Sequence, residues 1–111
     1  MKFLLMVYEN EQRFSHGYDK TEMDEYGAFG KEFASSIQGS NALEPTNTAA
    51  TVRVRDGKQL TSDGPFAETK EQLGGYYLVD VPDRKAAIAL AAKIPGARFG
   101  SIEVRPVMSF S

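Results

Sequence analysis

Asp63-Gly64-Pro65-Phe66-Ala67-Glu68-Thr69-Lys70-Glu71-Gln72-Leu73-Gly74-Gly75-Tyr76-Tyr77-Leu78-Val79-Asp80-Val81 passes from a turn, through a charged linker, into an apolar run. Gly64 accepts backbone angles that other residues avoid, and Pro65 stiffens the corner after it. Residues 74–81 read as a buried strand, opened by two glycines that allow close packing. The linker carries Glu68, Lys70 and Glu71, with Asp63 at its start. Reversing the chain does not require so many charged groups. The segment therefore marks both a central strand and a candidate site.

Working outward, residues 2–8 are apolar without alternation and predict a second strand buried on both faces. Residues 9–20 are polar, contain His16-Gly17, and read as a loop. Thr21 is the expected N-cap of a first helix, with Asp24 in a weak capping-box position. Glu22, Asp24 and Glu25 suit the positive end of its dipole. Met23, Tyr26, Phe29 or Gly30, Phe33 and Ile37 make its apolar stripe, and it is expected to end before Gly39. Residues 42–50 are ambiguous, and Pro45 allows at most a short edge strand there.

Residues 51–55 alternate Val52 and Val54 against Arg53 and Arg55. Asp56-Gly57 is a strong two-residue turn signal, and residues 58–62 return as the partner strand. Asp83 is expected to cap a second helix, with Ala87, Leu90, Ala91 and Ile94 on its buried stripe and Pro95-Gly96 at its end. Residues 101–107 form the last strand, alternating Ile102 and Val104 against Glu103 and Arg105. The order β-α-(hairpin)-β-α-β indicates an α+β, ferredoxin-like sheet with an inserted hairpin. Two helices cover only one face of such a sheet. Because residues 3–7 and 76–81 offer apolar side chains to both faces, the uncovered face predicts a homodimer.

The 111 residues suit a single domain that buries roughly 65% of its unfolded surface. The chain has no cysteine, which excludes disulfides and thiol chemistry. With one histidine besides, a zinc site of His and Cys ligands is not expected, and no metal or cofactor is assigned. A net charge of −2 argues against nonspecific nucleic-acid binding. The apolar run 3–7 is too short for a signal-peptide core or a membrane span, so a cytoplasmic location is the expectation.

The segment Asp63-Gly64-Pro65-Phe66, followed by Glu68-Thr69-Lys70-Glu71 and Gly74-Gly75-Tyr76, resembles the signature of the DGPF branch of the YCII-related proteins. Thr51-Val52-Arg53-Val54-Arg55-Asp56-Gly57, Ile94-Pro95-Gly96-Ala97 and Glu103-Val104-Arg105-Pro106 match the same pattern in order and spacing. The resemblance runs from Met1 to about Val107. It implies a small dimeric α/β-barrel subunit with a ferredoxin-like fold, and no settled activity. In that branch, association with an alternative sigma factor is a further implication. Some YCII-related proteins are proposed to pair a histidine of the first helix with an aspartate. This chain has no histidine between Thr21 and Gly39, so that mechanism does not carry over.

Asp63 has two readings: a turn former, or a general base at a pocket mouth. Glu68 is the second catalytic candidate, because two carboxylates and Lys70 near a desolvated cleft can tune one another. Tyr8 and Tyr26 are either core aromatics with a polar tip at the rim or ligand-binding hydroxyls. Arg53, Arg55, Arg98 and Arg105 are surface cations unless two converge, in which case they favour an anionic ligand. His16 reads as a solvated loop residue. Gly74-Gly75 lacks the lysine and hydroxyl of a phosphate loop. The expected arrangement puts Asp63 at the rim of the largest pocket, within ligand-sharing distance of Tyr8, Tyr26 or Glu68. On this reading the chain binds and transforms a small metabolite by metal-free acid–base chemistry. The alternative is a non-catalytic ligand-binding or regulatory subunit.

Overall fold

In the computed structural model, which describes residues 1–110, the chain opens with β1 (Lys2–Glu9), a 3-10 turn at Glu11–Phe14, and α1 (Lys20–Glu32). It continues through β2 (Ile37–Ala42), β3 (Ala50–Arg55), β4 (Lys58–Asp63) and β5 (Gln72–Asp80). It ends with α2 (Arg84–Ala91), a 3-10 turn at Pro95–Arg98, and β6 (Ser101–Pro106). Four strands form one antiparallel sheet in the order β2-β5-β1-β6, while β3 and β4 form a separate two-stranded sheet. This is a ferredoxin-like α+β fold with an inserted hairpin.

The alternation along β1 sets the two faces. Phe3, Leu5, Val7 and Glu9 are buried, while Leu4, Met6 and Tyr8 are only half-buried. Side chains two apart share a face of a strand, so the first set points at the helices and the second at the open face. Within the single chain, only the face that the helices cover is fully buried. Phe3, Leu5, Val79 and Ile94 form the centre of the core, with Phe29 from α1 and Ala87 and Leu90 from α2 packed around them. Truncating Leu5 to alanine in a core this tight would cost about 2–5 kcal/mol.

The pairing of β1 with β5 slips between Val7 and Tyr8: Val7 faces Gly75, but Tyr8 faces Leu73. Gly74 is the extra residue of a bulge, a device that redirects strands near functional sites. Beyond it, Glu9 sits opposite Gln72.

Asp19, not Thr21, caps α1: its carboxylate accepts from the Thr21 N–H at 3.3 Å. The helix stops at Glu32 and Ile37 begins β2. The buried stripe of α1 therefore runs through Glu22, Tyr26, Phe29 and Phe33, and Met23 is exposed. Asp83 caps α2 as expected, accepting from the Ala86 N–H at 2.8 Å. In the hairpin turn, Asp56 and Gly57 both have positive φ (52° and 74°), as a type I′ turn requires. The hairpin strands expose Val52, Val54 and Leu60.

Candidate functional site

A cavity of about 770 Å³ opens between α1, the Glu11–Phe14 turn and the inner face of β5 and β2. Val7, Gly75 and Tyr77 form its floor, and Met23 and Tyr26 reach it from α1. Gly75 lets β2 approach closely: a Cβ there would lie 3.1 Å from the Asn41 carbonyl oxygen, a tight contact. Most of the lining is apolar. One end is acidic, and it brings together Glu9 and Glu22.

Glu9 is the last inward-facing residue of β1, and Glu22 is the first inward-facing residue of α1. They are the two buried charged residues among those described. Arg13, on the 3-10 turn that joins the two elements, bonds both. Its guanidinium donates to Glu22 Oε1 and Oε2 at 3.1 and 3.2 Å and to Glu9 Oε1 at 3.4 Å. The Phe99 ring lies 3.9 Å from the guanidinium carbon and the Phe14 ring 5.0 Å, so the cation is stacked as well as paired. Two carboxylates share one guanidinium, which leaves the cluster with excess negative charge.

Tyr26 and Gly96 complete this end. The Gly96 N–H donates to the Tyr26 hydroxyl oxygen at 3.1 Å. A Cβ on Gly96 would fall 2.6 Å from that oxygen and would overlap a Glu9 carboxylate oxygen. Both groups thus occupy the space a side chain would fill. Burial pushes the Glu9 carboxyl up from its ordinary 4.5; Arg13 pulls it down, and Glu22 pushes it up again. The net direction is upward. Burial, and then the Glu9 charge, hold the Tyr26 hydroxyl well above the ordinary tyrosine value of 10.0, so it remains a proton donor at neutral pH. Burial also raises Tyr77.

The residues singled out from the sequence divide between several places. Tyr26 lines this cavity. Tyr8 is on the opposite face of the sheet, its hydroxyl 3.9 Å from the Met6 sulfur. Glu68 and Lys70 line a neighbouring cleft of about 530 Å³, which shares Glu11 and Gln72 with the larger cavity. Glu11 walls the two apart: its carboxylate accepts from the Thr46 N–H at 2.8 Å and the Thr46 hydroxyl at 2.5 Å. Asp63 is exposed at the end of β4 and is among the lining residues of neither space. Gly64 beside it does have a positive φ of 95°. Arg53 is exposed on the hairpin. The arginines do not converge: Arg98 forms a bidentate pair with Glu25 at 2.7 and 2.9 Å, and Arg105 pairs with Glu103. His16 is exposed, and among the described residues no group of His, Asp and Glu side chains has metal-binding geometry.

Glu9, Arg13 and Glu22 were not among the sequence candidates. Two signals point to them. Glu9 continues the Phe3, Leu5, Val7 alternation by one step, which puts a carboxylate on a core-facing position. Glu22 lies four residues before Tyr26 and seven before Phe29, on the same helical stripe. A carboxylate on a buried stripe needs a partner, and Arg13 is the cation between them.

The YCII-related domain matches residues 1–111. An uncharacterised protein of Rhizobium meliloti (strain 1021) is 35% identical over 114 residues, covering 96% of this chain and 92% of that protein. On both counts, the chain belongs to the YCII-related domain family.

Proposed function

We propose that the cavity between α1 and the sheet binds a small, mainly apolar metabolite, and that Glu9 moves a proton on it. The observation that carries this reading is a buried carboxylate lining a mostly apolar cavity, with its acidity reduced by that burial. Proton transfer near neutral pH works best with a group whose pKa is brought toward the operating pH, and burial brings Glu9 in that direction. Tyr26 supplies a hydroxyl that stays protonated, and Arg13 fixes the carboxylate in place. Glu68 and Lys70 line the neighbouring cleft, on the far side of Glu11.

The test is a fragment screen by NMR, followed by hydrogen–deuterium exchange into bound hits. Hits are expected to shift the amides of Val7, Gly75 and Tyr77. The wild-type protein is expected to speed deuteration of a hit at an acidic position, and Glu9→Gln to abolish that while still binding. Hits that shift none of these amides would contradict the reading. Binding without any exchange favours the second reading, a ligand-binding subunit without catalysis, which the mostly apolar lining also supports.

The same proposal has the chain act as a homodimer. Leu4, Met6 and Tyr8 of β1 and Leu78 of β5 leave the open face apolar at its centre and half-buried, and a second copy would cover it. Light scattering on dilute protein checks this; a monomer at micromolar concentration would contradict it.

A further inference from the structure

The chemistry of the cavity narrows the ligand. Three carboxylates line it, those of Glu9, Glu11 and Glu22, and among the described lining residues there is no lysine, arginine or histidine. Arg13 lies behind the wall and is already committed, bonded to two carboxylates and stacked on Phe99. Its positive charge is already shared between those two carboxylates. Glu11 is committed too, to Thr46. Glu9 is the least satisfied of the three, since its bond to Arg13, at 3.4 Å, is the longest in the cluster. The remaining walls carry aromatic residues, Phe14, Tyr18, Tyr26 and Tyr77.

Carboxylates in a cavity lined by aromatic residues make a setting that favours cations. The ring quadrupole attracts an ammonium group, and a carboxylate accepts its hydrogen bonds at about twice the strength of a neutral acceptor. A carboxylate ligand would instead add negative charge to a site that already holds more than Arg13 balances. An alcohol would gain only a neutral hydrogen bond. We infer that the cavity takes an amine: an ammonium head held by Glu9 and Glu22, and an aryl or alkyl body lying against Val7, Met23 and Tyr77. This inference rests on the reading of the cavity as a ligand site.

Three probes with a similar body and different heads test it: 2-phenylethylamine, 2-phenylethanol and 3-phenylpropanoate, each titrated by NMR at pH 7. The amine is expected to bind roughly tenfold or more tightly than the carboxylate, with the alcohol between them. Glu22→Gln, which keeps the side-chain shape, is expected to weaken the amine several-fold and leave the alcohol unchanged. Glu9→Gln is the second variant should Glu22→Gln fold poorly, and the same outcome is expected of it. A carboxylate that binds as tightly as the amine, or an amine preference unaltered in both variants, overturns the amine assignment but leaves a cavity that binds ligands. If none of the three probes shifts Val7, Gly75 or Tyr77, the amine assignment and the ligand-site reading both fail.

Discussion

The segment from Asp63 to Lys70 and the cluster of Glu9, Arg13, Glu22 and Tyr26 are both rich in charge, and they differ in almost every other respect. The first is contiguous in sequence and largely exposed: Asp63, Glu68 and Lys70 all face solvent. The second is drawn from a strand, a turn and a helix, and holds two carboxylates whose side chains are 10% and 7% exposed. Density of charge along a chain says little about chemistry, because a solvated carboxylate keeps ordinary properties. Withdrawal from water changes them, and that depends on which elements pack together.

The comparison breaks most sharply at the glycines beneath the cluster. A Cβ on Gly100 would run into the Tyr8 carbonyl oxygen and lie 3.1 Å from Glu9 Cγ. The obstacle is backbone and cannot swing aside, so Gly100→Ala is expected to cost about 3 kcal/mol, at the upper end of overpacking effects. Urea denaturation measures it. A loss under about 1 kcal/mol would show that β1 and β6 can separate there at little cost.

The acids themselves come next. Glu22→Ala strips Arg13 of its two shortest bonds and leaves a partly buried guanidinium, which is 28% exposed in the folded chain. A loss of about 2 kcal/mol is expected, since the guanidinium loses two charge-assisted bonds and keeps only the longer one to Glu9. Glu68→Ala, at an exposed position, is expected to stay within about 0.5 kcal/mol. Equal losses would erase the distinction between the two regions.

Within the exposed segment, the backbone matters more than the charge. Gly64 has φ of 95°, and its N–H donates to the Ala49 carbonyl oxygen at 2.7 Å. Gly64→Ala is expected to cost about 1 kcal/mol. Asp63→Asn is expected to change stability by less than about 0.5 kcal/mol. Melting temperatures in the reverse order would contradict a conformational role for Gly64.

Much of the fold was legible in the sequence because local rules and tertiary packing agreed. Asp56-Gly57 made the hairpin turn, Asp83 capped α2, and Ile102 and Val104 faced the core from β6. β2 was not legible. Ile37-Gln38-Gly39-Ser40-Asn41-Ala42 has one strong strand former, and Ile37 stands four residues after Phe33, in step with the helix before it. These residues form a strand because β5 offers an edge, with Ile37 opposite Val79 and Asn41 opposite Tyr76. Pairing of this kind overrides weak propensity and leaves no local trace. The site was half legible for the same reason. Tyr26 stood on a recognisable stripe. Glu9 and Glu22 carried the hydrophilic identity that ordinarily means surface, and only the helix packed over β1 removes them from water.

A smaller effect follows from the Glu9 carboxyl. Its folded pKa lies above its ordinary value of 4.5, so the native state holds a proton that the unfolded chain has released. The contribution of that proton to stability is fully present below pH 4.5 and is lost as pH rises through the folded value. Relative to Glu9→Gln, the wild-type protein is expected to lose stability across that window, as denaturation midpoints at successive pH values would show. A difference that shrinks with rising pH would mean that Arg13 outweighs burial.

The central claim is that burial sets Glu9 apart as the group able to exchange a proton inside the cavity. A carbon-13 NMR titration of the Glu9 side-chain carboxyl tests it most directly, with Glu9→Gln to assign the signal. The expected midpoint lies above 4.5 and moves when a cavity ligand is added. A midpoint at or below 4.5, unaltered by ligand, would show an ion pair that only holds β1 to α1 and would remove Glu9 from any chemistry.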